Sequence, residues 1–144
     1  MNKPVLLVVA PYYRAIADQL IAGASGALAA ADIPVELIEV PGAFEIPAAI
    51  ALAAQTGVYA GYVALGCVIR GETTHYDYVC GESARGLQDL AVHARLAIGY
   101  GILTCETLEQ AHARADVENG NKGGEAAQAC LRMMQLRAQF GGAA

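Results

Sequence analysis

Four short apolar runs, each followed by a segment with helical periodicity, constrain this chain more than any other feature of its sequence. Val5 to Ala10 is a continuous β-branched and aliphatic run closed by Pro11, the pattern of a strand buried on both faces. Ile16, Leu20, Ala24 and Leu28 then recur at helical spacing, so a helix follows. Val35, Leu37, Ile38 and Val40 predict a second strand, stopped by Pro41-Gly42. Phe44 to Gln55 reads as a helix with Pro47 in its first turn, where a missing amide costs little. Tyr62 to Ile69 is the third predicted strand, and Leu87, Leu90, Ala91 and Ala94 mark the helix after it. Ile98 to Thr104 supplies a fourth strand, Thr107 caps a short helix through Arg114, and Gly123 to Phe140 carries the last helix.

This alternation predicts one α/β domain over residues 1–144: a flavodoxin-like three-layer αβα sandwich on a four-stranded parallel sheet with right-handed crossovers. A chain of 144 residues holds one proper core and not two. Apolar residue types make up 56% of it and the mean hydropathy is +0.37, high for a small monomer with a wetted surface, so part of that surface is expected to lie between subunits. A formal charge of -5 and nine scattered Lys and Arg residues exclude a nucleic-acid footprint. No run approaches the ~18 apolar residues of a membrane span, and Val5 to Ala10 is too short for a signal sequence. Cys67, Cys80, Cys105 and Cys130 lack C-x-x-C spacing and read as reduced core residues of a cytoplasmic protein.

In open parallel sheets, ligands bind beyond the carboxyl ends of the strands. The loops expected there carry Tyr12 and Tyr13, then Gly42 to Glu45, then Arg70 to His75, and finally Cys105 and Glu106. The richest of them lies in the stretch G-C-V-I-R-G-E-T-T-H-Y-D-Y-V-C-G-E-S, Gly66 to Ser83. Gly71 permits a sharp turn, and the amides of Glu72, Thr73 and Thr74 at a helix start form an anion site, aided by the threonine hydroxyls. His75 follows within reach of a bound phosphate, and imidazole titrates near neutrality. An ordinary N-cap threonine followed by a surface histidine is the plain alternative. Together these features point to an enzyme acting on a phosphorylated small molecule.

Three blocks in order, P-G-A-F-E-I-P at Pro41 to Pro47, G-C-V-I-R-G-E-T-T-H-Y-D-Y-V at Gly66 to Val79 and G-N-K-G at Gly120 to Gly123, resemble the lumazine synthase family of riboflavin biosynthesis. The resemblance covers nearly the whole chain. It implies condensation of 5-amino-6-ribitylaminouracil with 3,4-dihydroxy-2-butanone 4-phosphate to 6,7-dimethyl-8-ribityllumazine, with no metal and no organic cofactor. By the same resemblance Tyr12 stacks on the pyrimidine, Ala43 and Glu45 hold the ribityl chain, Phe44 between them is substrate-binding, and Cys67, Val68 and Ile69 edge the uracil. Gly71, Glu72 and Thr73 match the phosphate turn, and Arg114 the arginine that closes on that phosphate from a neighbouring subunit. His75 matches the proton-transfer residue and Lys122 the lysine of G-N-K-G, while Tyr100 stands where the family usually has Phe, across a subunit boundary. Pro11 and Tyr13 depart from the common pattern, at the pyrimidine and ribityl end.

Three other readings compete. An FMN-binding module of the same layer order needs a hydroxyl- and glycine-rich loop after the first strand, where this chain has Pro11-Tyr12-Tyr13-Arg14. The archaeal-type riboflavin synthase resembles the same fold turned to another reaction, and a shell-forming scaffold subunit, natural or engineered, keeps site residues without using them. The resemblance further implies a homo-oligomer built on pentamers, in some relatives closed into an icosahedral shell. The short loop from Ala115 to Lys122 favours a shell, whereas a first strand beginning near Val5 leaves almost no arm to join a neighbour's sheet.

Overall fold

The computed structural model describes residues 2–141. Strand β1 (Val5–Val9) is apolar and buried at every position, and helix α1 (Arg14–Ala30) follows it. After β2 (Val35–Glu39) the chain makes a 3-10 turn over Ala43–Glu45 before helix α2 (Ile46–Ala54) begins. Phe44 to Gln55 is therefore not one helix. Pro47 sits in the first turn of α2 without an amide to give, and the residues ahead of it close with tighter bonds, Glu45 N–H donating to the Gly42 carbonyl at 3.1 Å. Strand β3 (Gly61–Ile69), helix α3 (His75–His93), strand β4 (Ile98–Cys105) and helices α4 (Leu108–Ala115) and α5 (Lys122–Gly141) complete the alternation.

All strand pairs are parallel, in the order β2-β1-β3-β4. Val5 stands opposite Val35 on one side and Gly61 on the other, so β1 is central. Because side chains alternate along a strand, β1 feeds two cores. Val5, Leu7 and Val9 pack under Ile16 and Leu20 of α1, Ala111 of α4 and Cys130 of α5, while Leu6 and Val8 pack on the other face against Ile46 and Ile50 of α2 and Leu87 of α3. Helices cover both faces, the expected three-layer α/β sandwich. The edge strand β2 differs: Leu37 and Ile38 are 41% and 39% exposed, and among the described residues nothing pairs with its outer side.

Strand order fixes where a ligand can sit. The chain leaves β1 toward β2 on one side and returns to place β3 on the other. The segments that follow β1 and β3 therefore diverge and open a crevice between them at the carboxyl edge.

Candidate active site

A cavity of about 630 Å3 occupies that crevice, within the usual range for a small-molecule site. Tyr12 and Tyr13 reach it from the end of β1, Pro41 to Glu45 from beyond β2, Cys67, Val68 and Ile69 from the end of β3, and His75 and Val79 from the start of α3. Eight residues singled out from the sequence, Tyr12, Ala43, Phe44, Glu45, Cys67, Val68, Ile69 and His75, thus line one hollow. Tyr13 and Gly42, expected in these loops but given no contact of their own, line it too, as do Pro41 and Val79. Val79 could have been found, since it falls one helical turn after His75 on the same face.

The two tyrosines differ in setting. Tyr12 is 78% exposed, while Tyr13 packs against the core, and their rings meet edge to face with centroids 4.9 Å apart and planes at 79°. Burial pushes the Tyr13 phenol above its ordinary range, with smaller contributions from Cys67 and Tyr12. Burial also pushes the Cys67 thiol up to about 12, helped by Cys105 and Cys80. Cys67 is consequently a neutral wall and not a nucleophile. Among the lining residues Glu45 supplies a carboxylate and His75 an imidazole, the side-chain types suited to charge pairing and proton transfer.

Gly71, Glu72 and Thr73 do not line the cavity; they form an exposed turn between Ile69 and His75. The turn has the form expected of an anion cradle. The His75 amide donates to Thr73 Oγ1 at 3.3 Å, whereas those of Glu72, Thr73 and Thr74 have no acceptor among the described residues. They stand at the N-terminus of α3, where the helix dipole also favours an anion.

Tyr100, Arg114 and Lys122 are elsewhere. They line a second hollow of about 490 Å3 over the outer side of β4, together with Glu125. Arg114, in the last turn of α4, donates from one terminal nitrogen to the Gln110 carbonyl at 3.1 Å and has no carboxylate partner among the described residues. Lys122 Nζ lies 3.2 Å from both carboxylate oxygens of Glu125. Most of the G-N-K-G block is architecture. A Cβ at Gly120 would stand 2.7 Å from the Arg114 Cα, and one at Gly123 would collide with the Leu20 carbonyl of α1. Asn121 takes the left-handed conformation at φ 46° and accepts from the Gly124 amide at 3.3 Å, which starts α5. Lys122 alone in the block presents a charged side chain to this hollow, paired with Glu125.

A four-stranded parallel α/β sandwich with a ligand-sized cavity at its switch point is a flavodoxin-like architecture. The family model described as 6,7-dimethyl-8-ribityllumazine synthase matches residues 2–138, and the chain belongs to that family. It is 57% identical over 139 residues to the 6,7-dimethyl-8-ribityllumazine synthase of Methylobacterium radiotolerans, covering 96% of this chain and 85% of the relative. Against the protein of the same name from Bartonella tribocorum, identity is 56% over 142 residues, covering 97% of this chain and 94% of the relative. The Beijerinckia indica relative, also so named, is 49% identical over 142 residues, with 97% and 78% covered.

Proposed function

We propose that this chain is a transferase of riboflavin biosynthesis that condenses 5-amino-6-(D-ribitylamino)uracil with 3,4-dihydroxy-2-butanone 4-phosphate to give 6,7-dimethyl-8-ribityllumazine, phosphate and two molecules of water. The observation that carries the reading is the gathering of the eight family-matched residues, from four separate segments of the chain, around one cavity. The 5-amino group attacks the butanone carbonyl and loses water to form an imine. Phosphate then leaves by elimination, the enol becomes a ketone, and the ribityl-bearing nitrogen closes the ring with loss of the second water. Each step moves a proton, and His75 is the group we assign to move it. Tyr12 offers its exposed ring to stack on the pyrimidine, Glu45 accepts from ribityl hydroxyls beside Ala43 and Phe44, and the strand end Cys67 to Ile69 edges the uracil. The free amides of Glu72 and Thr73 after Gly71 receive the phosphate.

Tyr100, Arg114 and Lys122 belong to the same proposed site through a neighbouring copy. In one chain they lie over the edge strand β4, apart from the cavity, so the arginine and the histidine come together when the β4 side of one subunit faces the cavity of the next. Such a head-to-tail contact closes into a ring. We take a pentamer as the basic unit, a shell as an extension of it, and the cytoplasm as its location. Among the described residues no helix is long and apolar enough to cross a membrane. A steady-state assay with both substrates, followed by lumazine absorbance in the presence of a chelator, tests the reading. Turnover at an undiminished rate is expected. An inactive but correctly assembled protein would favour a scaffold.

A further inference from the structure

Arg70 immediately follows β3 and immediately precedes Gly71, and its guanidinium is held on three sides. Nε donates to Glu106 Oε2 at 3.0 Å, a terminal nitrogen donates to Asp77 Oδ1 at 3.2 Å, and Cζ lies 4.3 Å from the centre of the Tyr76 ring. The Arg70 amide also donates to the Cys105 carbonyl at 2.9 Å, continuing the β3–β4 ladder one residue past the strand. These partners come from two places: Tyr76 and Asp77 from the first turn of α3, and Glu106 from the link between β4 and α4. One side chain therefore spans the turn from Gly71 to Thr74, anchored to the backbone at its start and to the helix just after its end.

A cation committed to two carboxylates and a ring face is poorly placed to serve as an anion ligand. The local sum is one positive charge against two negative ones, which by itself repels phosphate. A single exposed ion pair contributes little, but here two pairs and a stacked ring share one planar fork, which a lysine cannot reproduce. We propose that Arg70 is a positioning residue: with Asp77, Glu106 and Tyr76 it holds the Glu72, Thr73 and Thr74 amides in the geometry that receives an anion. Glu106 directly precedes Thr107, the cap of α4, so the same clamp ties this turn to the helix that carries Arg114. The proposal rests on reading the turn as the phosphate subsite.

Two explanations of the carboxylates predict opposite signs, and that decides the matter. If their charge dominates, removing them strengthens anion binding; if they anchor the clamp, removing them weakens it. Calorimetry with inorganic phosphate on the intact oligomer, paired with steady-state kinetics, is the experiment. The double variant Asp77→Ala, Glu106→Ala is expected to bind phosphate roughly fivefold more weakly despite losing two negative charges, and to raise KM for the phosphorylated substrate by a similar factor. Its kcat and its KM for the pyrimidine stay within about twofold of the parent. Arg70→Gln shifts the same quantities further, Arg70→Lys recovers part of the loss, and amide exchange at residues 72–74 quickens in step. Tighter phosphate binding in the double variant, or parental binding and exchange in Arg70→Gln, overturns the clamp. A parent protein that neither binds phosphate nor turns over overturns the functional reading instead.

Discussion

The hollow at the switch point and the hollow over β4 are built on different terms. The one at the switch point takes its walls from residues that the core needs anyway: Cys67, Val68 and Ile69 end β3, Ala43 is buried, and Val79 is a buried residue of α3. The one over β4 is a shelf whose distinctive groups, Arg114, Lys122 and Glu125, stand at helix ends and add nothing to the core. A cavity made from core residues is complete when the chain folds. A shelf of charged groups on an edge strand is complete when something faces it.

Mixed oligomers break or sharpen that contrast most forcefully. His75→Ala is expected to lower kcat by ~10², with both Michaelis constants nearly unchanged. Co-assembled in equal amounts with Arg114→Ala and assayed well below the parental KM for the phosphorylated substrate, the two poor proteins should recover about a quarter of parental activity, because a head-to-tail contact pairs the intact His75 of one with the intact Arg114 of the other. Strictly additive activity would mean that each hollow works alone. Next in size, Arg114→Ala should raise KM for the phosphorylated substrate roughly tenfold or more, since a charge-assisted contact contributes ~1.5–3 kcal/mol. Tyr12→Ala should raise KM for the pyrimidine by a few-fold, from ~0.5–1.5 kcal/mol of stacking. Exchange of these two specificities would reverse the assignment of the ends.

Smaller effects concern the frame. Gly123→Ala places a methyl against the Leu20 carbonyl and should lower stability by about 1–3 kcal/mol, seen as a lower Tm, while Lys122→Ala leaves Tm near the parental value. Alkaline pH gives the smallest and most gradual effect. Burial raises the Cys67 and Cys130 thiols from 9.0 to about 12, so the folded chain holds protons that the unfolded chain releases. Their contribution is fully present below pH 9.0 and is lost as pH rises toward about 12. Cys130→Ser should flatten the fall of Tm across that window, and a fall of unchanged slope would assign it to other groups.

Much of the fold was legible because its signals are local. A five-residue strand that is apolar throughout is read without knowing its neighbours, and Thr107 announces the start of α4 three residues before Gln110, whose amide it accepts. The start of α3 was harder, because its first turns expose His75, Asp77 and Tyr78 and the helical period emerges only at Val79, Ser83 and Leu87. At the site, the family blocks nominated the candidates, and strand order then determined which of them meet. The Arg70 clamp left no trace in the sequence: Asp77 is 7 residues away but Arg70 lies outside the helix that carries it, and Glu106 is 36 residues away and is brought near only by the β3–β4 pairing. The division of G-N-K-G into three structural residues and one lysine was equally hidden, since a glycine chosen for closeness looks the same as one chosen for a ligand.

The open outer side of β2 sets a clock on the cavity. A strand flanked on both sides releases its amides to solvent only when the whole sheet opens, whereas an edge strand frays by itself. The cavity floor hangs on β1 and β3, which lie inside the sheet, while Pro41 to Glu45 hang from β2, whose outer side is bare. The amides of the β2 wall are therefore expected to exchange with solvent faster than those of the β1 and β3 floor, so hydrogen exchange should divide the cavity lining into a slow half and a fast half.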